Sequence, residues 1–141
     1  MKRFTTPCFV RVEDAGEREE LLQWCIAIGY LCPVIPKEEI FGEVIICDGE
    51  CVGIVHDPTA FSAITTYKDC GTDIELFKAL AAMNNENDYM QWFIIGKGDV
   101  KDWFVRCDYH SIQDHPDYAS FALMGYGRAT AEEIIEHFKN K

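Results

Sequence analysis

The chain has 141 residues, 24 of them acidic and 13 basic, for a formal charge of −11. That balance argues against direct binding to nucleic-acid phosphates, because contact would be repulsive and would release few counterions. A chain of this length is expected to form one domain, residues 1–141, and to bury roughly two-thirds of its unfolded surface, enough for a core without disulfides or metal.

Phe9-Val10-Arg11-Val12 alternates as a strand does, and Asp14-Ala15-Gly16 turns the chain into a helix with an apolar stripe of Leu21, Leu22, Cys25, Ile26 and Ile28. Residues 30–39 read as a loop, and 44–47 and 52–55 as a hairpin around Asp48-Gly49. A strand over 63–67 leads through Asp69-Cys70-Gly71 into a helix carrying Leu76, Phe77, Leu80 and Met83. Residues 90–95 and 103–107 form a second hairpin around Gly96-Lys97-Gly98-Asp99, followed by a loop over 108–117. Phe121-Ala122-Leu123-Met124 is strand-like, and a last helix starts at Thr130. Thr72 with Glu75 and Thr130 with Glu133 fit the capping box, in which hydroxyl and carboxylate each accept the other residue's backbone N–H.

These elements repeat. Asp14-Ala15-Gly16-Glu17-Arg18-Glu19-Glu20-Leu21-Leu22 aligns with Asp69-Cys70-Gly71-Thr72-Asp73-Ile74-Glu75-Leu76-Phe77, so residues 8–56 and 62–108 read as two copies of a βαββ unit, with a partial βα copy over 119–140. The expected fold is α+β: a two-layer sandwich of three helices against one face of a mostly antiparallel sheet of about six or seven strands.

Seven cysteines, an odd number and mostly within apolar runs, and an amino terminus without the apolar stretch of a secretion signal point to the reducing cytoplasm. No apolar run approaches the ~18 residues that span a bilayer, so no membrane partner is expected.

Candidate chemistry is sparse. Cys107, His110 and His115, with Asp108 and Asp114 beside them, make up an inventory that could hold zinc, though not at a ligand spacing and only with a fourth group such as His56 or Cys70. Cys47 and Cys51 flank a tight turn but lack the second pair of a zinc knuckle. Asp14 and Asp69 could act as general acids or bases, yet their shared place at a strand-to-helix turn suits an Asp that accepts backbone N–H groups. Glu13, Asp14, Glu17, Glu19 and Glu20 could imitate a phosphate track, and equally they complement the positive end of a helix dipole. There is no nucleophile elbow or phosphate-binding glycine loop, so no catalytic or cofactor-binding residue is assigned and no cofactor is expected.

The second hairpin is the expected contact site. Trp92 and Ile94 face one way and Phe93 and Ile95 the other, while Trp103, Phe104 and Val105 alternate in the same manner, so both faces are apolar. Helices cover one face; the other needs the loop over 111–118, a second copy of the chain, or a partner protein that meets Trp92, Phe93, Trp103 and Phe104.

Asp69-Cys70-Gly71-Thr72-Asp73-Ile74-Glu75-Leu76-Phe77, then Gln91-Trp92-Phe93, then Arg128-Ala129-Thr130-Ala131-Glu132-Glu133-Ile134-Ile135 resemble the small hypothetical proteins of prophages and mobile elements in gut bacteria. The resemblance implies a cytoplasmic accessory protein and carries over no catalytic residues. The leading expectation is a non-enzymatic module that binds another protein. An acidic DNA mimic that inhibits a nucleic-acid enzyme comes second, and a metal-dependent or other enzyme built on residues 107–117 third.

Overall fold

The computed structural model describes residues 6–32, 43–55, 67–83, 88–96 and 103–139. The strand expected at 63–66, loop residues 33–39, turn residues 97–99 and His56 lie outside the described residues.

Strand β1 (Cys8–Arg11) alternates as its sequence demands, with Cys8 and Val10 fully buried and Arg11 exposed. It pairs antiparallel with β2 (Val44–Asp48), which turns back into β3 (Cys51–Val55), and its other edge takes a short parallel strand, β4 (Lys68–Asp69). The sheet order is β3-β2-β1-β4. Gly49 and Glu50 close the β2 to β3 hairpin, and Gly49 lies at φ +63°, the glycine-first arrangement of a type II′ turn.

Helix α1 (Ala15–Ile28) begins where Asp14 accepts the Glu17 N–H at 2.8 Å. It ends in a Schellman motif: Gly29 at φ 121° donates to the Ile26 carbonyl, and Tyr30 N–H donates to that of Cys25. Tyr30 then turns inward, and its hydroxyl donates to the Ala81 carbonyl at 2.6 Å, tying this helix end to the end of α2 (Ile74–Ala81). The buried face of α1 is Leu21, Leu22 and Cys25, with Ile28 at its border; Ile26, expected in the stripe, is exposed.

The capping box expected at Thr72 is displaced by one residue. Asp69 accepts the Gly71 N–H, Gly71 takes φ +60°, and Asp73 N–H donates to the Cys70 carbonyl. That tight turn delays the helix until Asp73, whose carboxylate caps it by accepting from Leu76 N–H. At Thr130 the box is in place: Thr130 N–H donates to Glu133 at 2.8 Å, and Glu133 N–H to the Thr130 hydroxyl at 3.2 Å, opening α4 (Ala131–Lys139).

Strands β5 (Trp92–Ile95) and β6 (Trp103–Arg106) form the second hairpin, and β7 (Tyr126–Arg128) adds to β5, giving a separate antiparallel sheet in the order β6-β5-β7. The strands therefore form two sheets rather than one. The halves repeat the order strand, helix, strand, strand, but not its pairing: β1 joins β2, whereas β4 joins β1. β6 and β7 occupy both edges of β5, so β4 has no edge there to meet, and the expected duplication does not extend to topology.

A fourth helix replaces the strand expected at 121–124. Residues 118–124 form α3 (Tyr118–Met124), with Phe121 N–H donating to the Asp117 carbonyl and Gly125 N–H to that of Phe121. Ala, Leu and Met favour helix, and this run lacks the polar alternation of a half-buried strand. Gly125 at φ 91° then releases the chain into β7.

Two cores result. The main one joins β1, β2 and β3 to α1, α2 and α4, centred on Phe77, Leu80 and Ile134, with Trp92, Ile94 and Phe104 of the second sheet against it. The smaller lies on the other side of that sheet and contains Phe93, Ile95, Cys107, Ile112 and Phe121.

Candidate contact surface

In the β5 to β6 register Trp92 faces Arg106, Phe93 Val105, Ile94 Phe104 and Ile95 Trp103. Directly opposed residues share a face, so Trp92, Ile94 and Phe104 lie together, and Phe93, Ile95 and Val105 lie opposite. Both faces are apolar, and other parts of the chain pack on each. On the first, Phe104 stacks on His137 of α4 with ring centroids 4.1 Å apart, and Trp92 meets Phe138 edge-on at 5.6 Å. On the second, Ile112 and Phe121 seal Phe93, which is 3% exposed. Of the four residues expected to meet a partner, Phe93 is buried and Trp92 and Phe104 are half-buried; the Trp103 side chain lies outside the described part.

The segment that seals the second face is pinned by Asp88. One of its carboxylate oxygens accepts the Ile112 N–H at 2.8 Å, the other takes Arg128 Nη2 at 2.7 Å, and its own N–H donates to the His110 carbonyl. Asp88 enters a turn over 88–91 whose third residue, Met90, holds φ +67°, a conformation that non-glycine residues seldom adopt. Sequence reasoning missed Asp88 because its partners lie far along the chain.

The proposed zinc inventory is not assembled. Buried Cys107 donates its thiol to the Tyr109 carbonyl at 3.2 Å, and burial raises its pKa above the ordinary value. His115 Nδ1 accepts the Asp117 N–H at 3.0 Å while its ring meets Phe121, and His110 packs near Tyr89. Cys70 belongs to the main core. Among the described residues no three His, Cys, Asp or Glu side chains are grouped to hold a metal. Cys47 is buried opposite Val52 while Cys51 is exposed, so the turn sets these thiols on different faces.

The other candidates have structural work. Asp14 and Asp69 accept backbone N–H groups, at different registers. Glu13, Glu17, Glu19 and Glu20 are exposed along the start of α1. A hollow of about 460 Å³ beside the start of α4 includes Lys68, already paired with Glu132 at 3.5 Å.

Among the described residues, exposed large apolar side chains include Ile26, Leu31 and a run on α3 and β7. Only Phe121 of α3 is buried. Leu123 is 86% exposed, and Met124 and Tyr126, close to it along the chain, are also exposed. Tyr126 and Tyr118 approach hydroxyl to hydroxyl at 3.3 Å, and this hydrogen bond raises the Tyr126 pKa above its ordinary value.

The chain matches no family model, no curated protein and no solved structure. The reading of this surface therefore rests on its own chemistry. α3 thus presents Leu123 to solvent on a segment that the partly buried Asp88 carboxylate holds in place.

Proposed function

We propose that the protein is a non-enzymatic module that binds another protein, and that α3 and the start of β7 form the contact. The exposure of Leu123, on a helix that packs inward through Phe121 and Tyr118, carries this reading. Ordinary surfaces scatter single apolar residues; here Leu123, Met124 and Tyr126, all exposed, fall within four positions of chain. The aromatic hairpin supports the reading from beneath, as the sheet on which that stretch is mounted.

The cytoplasm is the proposed compartment. All seven cysteines are free thiols, and Cys8, Cys25, Cys47, Cys70 and Cys107 are buried as small apolar groups. The resemblance to prophage and mobile-element proteins supports an accessory role there.

A photo-crosslinking amino acid at position 123 tests the proposal in cells, with the same group at exposed Gln23 of α1 as control. A discrete protein adduct from position 123 and none from position 23 is the expected result. Matching adduct patterns from both positions, or none from 123, overturn it.

A further inference from the structure

We infer that the partner of this surface is a cationic amphipathic protein segment, in which Lys or Arg side chains flank an apolar centre. The inference rests on the reading of α3 and β7 as the contact and names the chemistry that would recognise it. Residues 107–127 contain three aspartates, Asp108, Asp114 and Asp117, and no lysine or arginine. The two arginines that bound this stretch are neutralised, Arg106 by Asp108 at 3.0 Å and Arg128 by Asp88 at 2.7 Å. Asp114 and Asp117 are exposed and join no ion pair among the described residues.

The aromatic groups point the same way. Tyr109 and Tyr126 are 38% and 39% exposed, and among the described residues no cation stands over either ring. Partly exposed tyrosine rings and carboxylates outside any described ion pair attract guanidinium and ammonium groups, whose aliphatic stems lie well along Leu and Met side chains. The whole-chain charge of −11 steers such a segment inward and repels polyanions and anionic membrane surfaces. A second copy fits less well, because a two-fold contact would bring two acidic, cation-free stretches together.

The probe is a synthetic amphipathic Leu/Lys helical peptide, with a Leu/Glu peptide of equal length as control, titrated into the full chain and followed by anisotropy and backbone amide shifts. The expected result is binding of the Leu/Lys peptide alone, with shifts concentrated in residues 108–126. Leu123→Asp weakens it roughly tenfold or more, as loss of a central apolar contact does. Asp114→Asn with Asp117→Asn weakens it less and flattens its salt dependence. Neither aspartate side chain caps a helix or makes a described hydrogen bond, so the double variant keeps the fold, which circular dichroism checks. Equal binding of both peptides, binding indifferent to Leu123→Asp, shifts confined to α1, or self-association lost on Leu123→Asp each overturn the inference. An adduct from position 123 with no Leu/Lys binding overturns the cationic partner and leaves the contact standing; failure of both overturns both.

Discussion

The Asp88 side chain joins two segments that lie far from it along the chain. Its carboxylate holds the Ile112 N–H and Arg128 together, and so fixes the 3-10 turn Ile112–Asp114 against β7 and the second sheet. Hydrogen bonds to a charged acceptor are the stronger kind, and removing the acceptor leaves a partly buried N–H unsatisfied. Asp88→Ala should therefore cost about 2 kcal/mol in urea denaturation, and amide exchange over residues 110–118 should accelerate more than in α2. Unchanged exchange there would show that the small core alone holds the segment. In sequence Asp88 is one acid in a polar stretch; its importance comes from partners that only folding brings near.

At the scale of elements, capping chemistry is legible when the chain can begin a helix where the cap stands. The Thr130 box forms because the extended chain of β7 runs into α4 with only Ala129 and Thr130 between them. Thr72 has the same spacing to a glutamate, yet the turn at Gly71 places Asp73 at the helix start. Thr130→Ala and Asp73→Ala should each cost about 1 kcal/mol, and Thr72→Ala less than about 0.5 kcal/mol. Denaturation curves for the three variants decide this, and equal losses at Thr72 and Asp73 would contradict the cap assignment. The helix at 118–124 was hidden for a related reason. Four apolar residues in a row fit a buried strand or a short helix equally, and the Gly125 turn and the burial of Phe121 decide between them.

At the scale of the whole molecule, the main core is lined with thiols. Cys25 and Cys47 bring their sulfurs to 4.0 Å, Cys8 lies beside Cys70, and Tyr30 reaches among them. A hydrogen bond with Cys70 together with burial holds Cys8 well above its ordinary 9.0, burial and contact with Cys25 do the same for Cys47, and burial raises Tyr30. In the unfolded chain these groups lose their protons at ordinary values, while the folded chain keeps them. Their contribution to stability is thus complete below the unfolded pKa and is lost as pH rises toward the folded one. Stability should fall from about pH 9 upward, by roughly 1 kcal/mol per pH unit for each group. Urea denaturation from neutral pH to about pH 11 checks it, with Tyr30→Phe flattening the upper part of the curve. A flat profile in the parent protein would mean that these groups are not sealed.

The sequence by itself determined the α+β class, most strand and helix positions, and the apolar character of both hairpin faces, because side-chain periodicity and caps act within a few residues of chain. It also determined the formal charge of −11. Only the tertiary structure decided that the described strands divide into two sheets, that Phe93 and Ile95 of the aromatic hairpin are buried by the chain itself, and that Leu123 stands in water. Strand edges, burial and surface depend on which distant segments reach a place and fill it, and neither spacing nor composition encodes that competition.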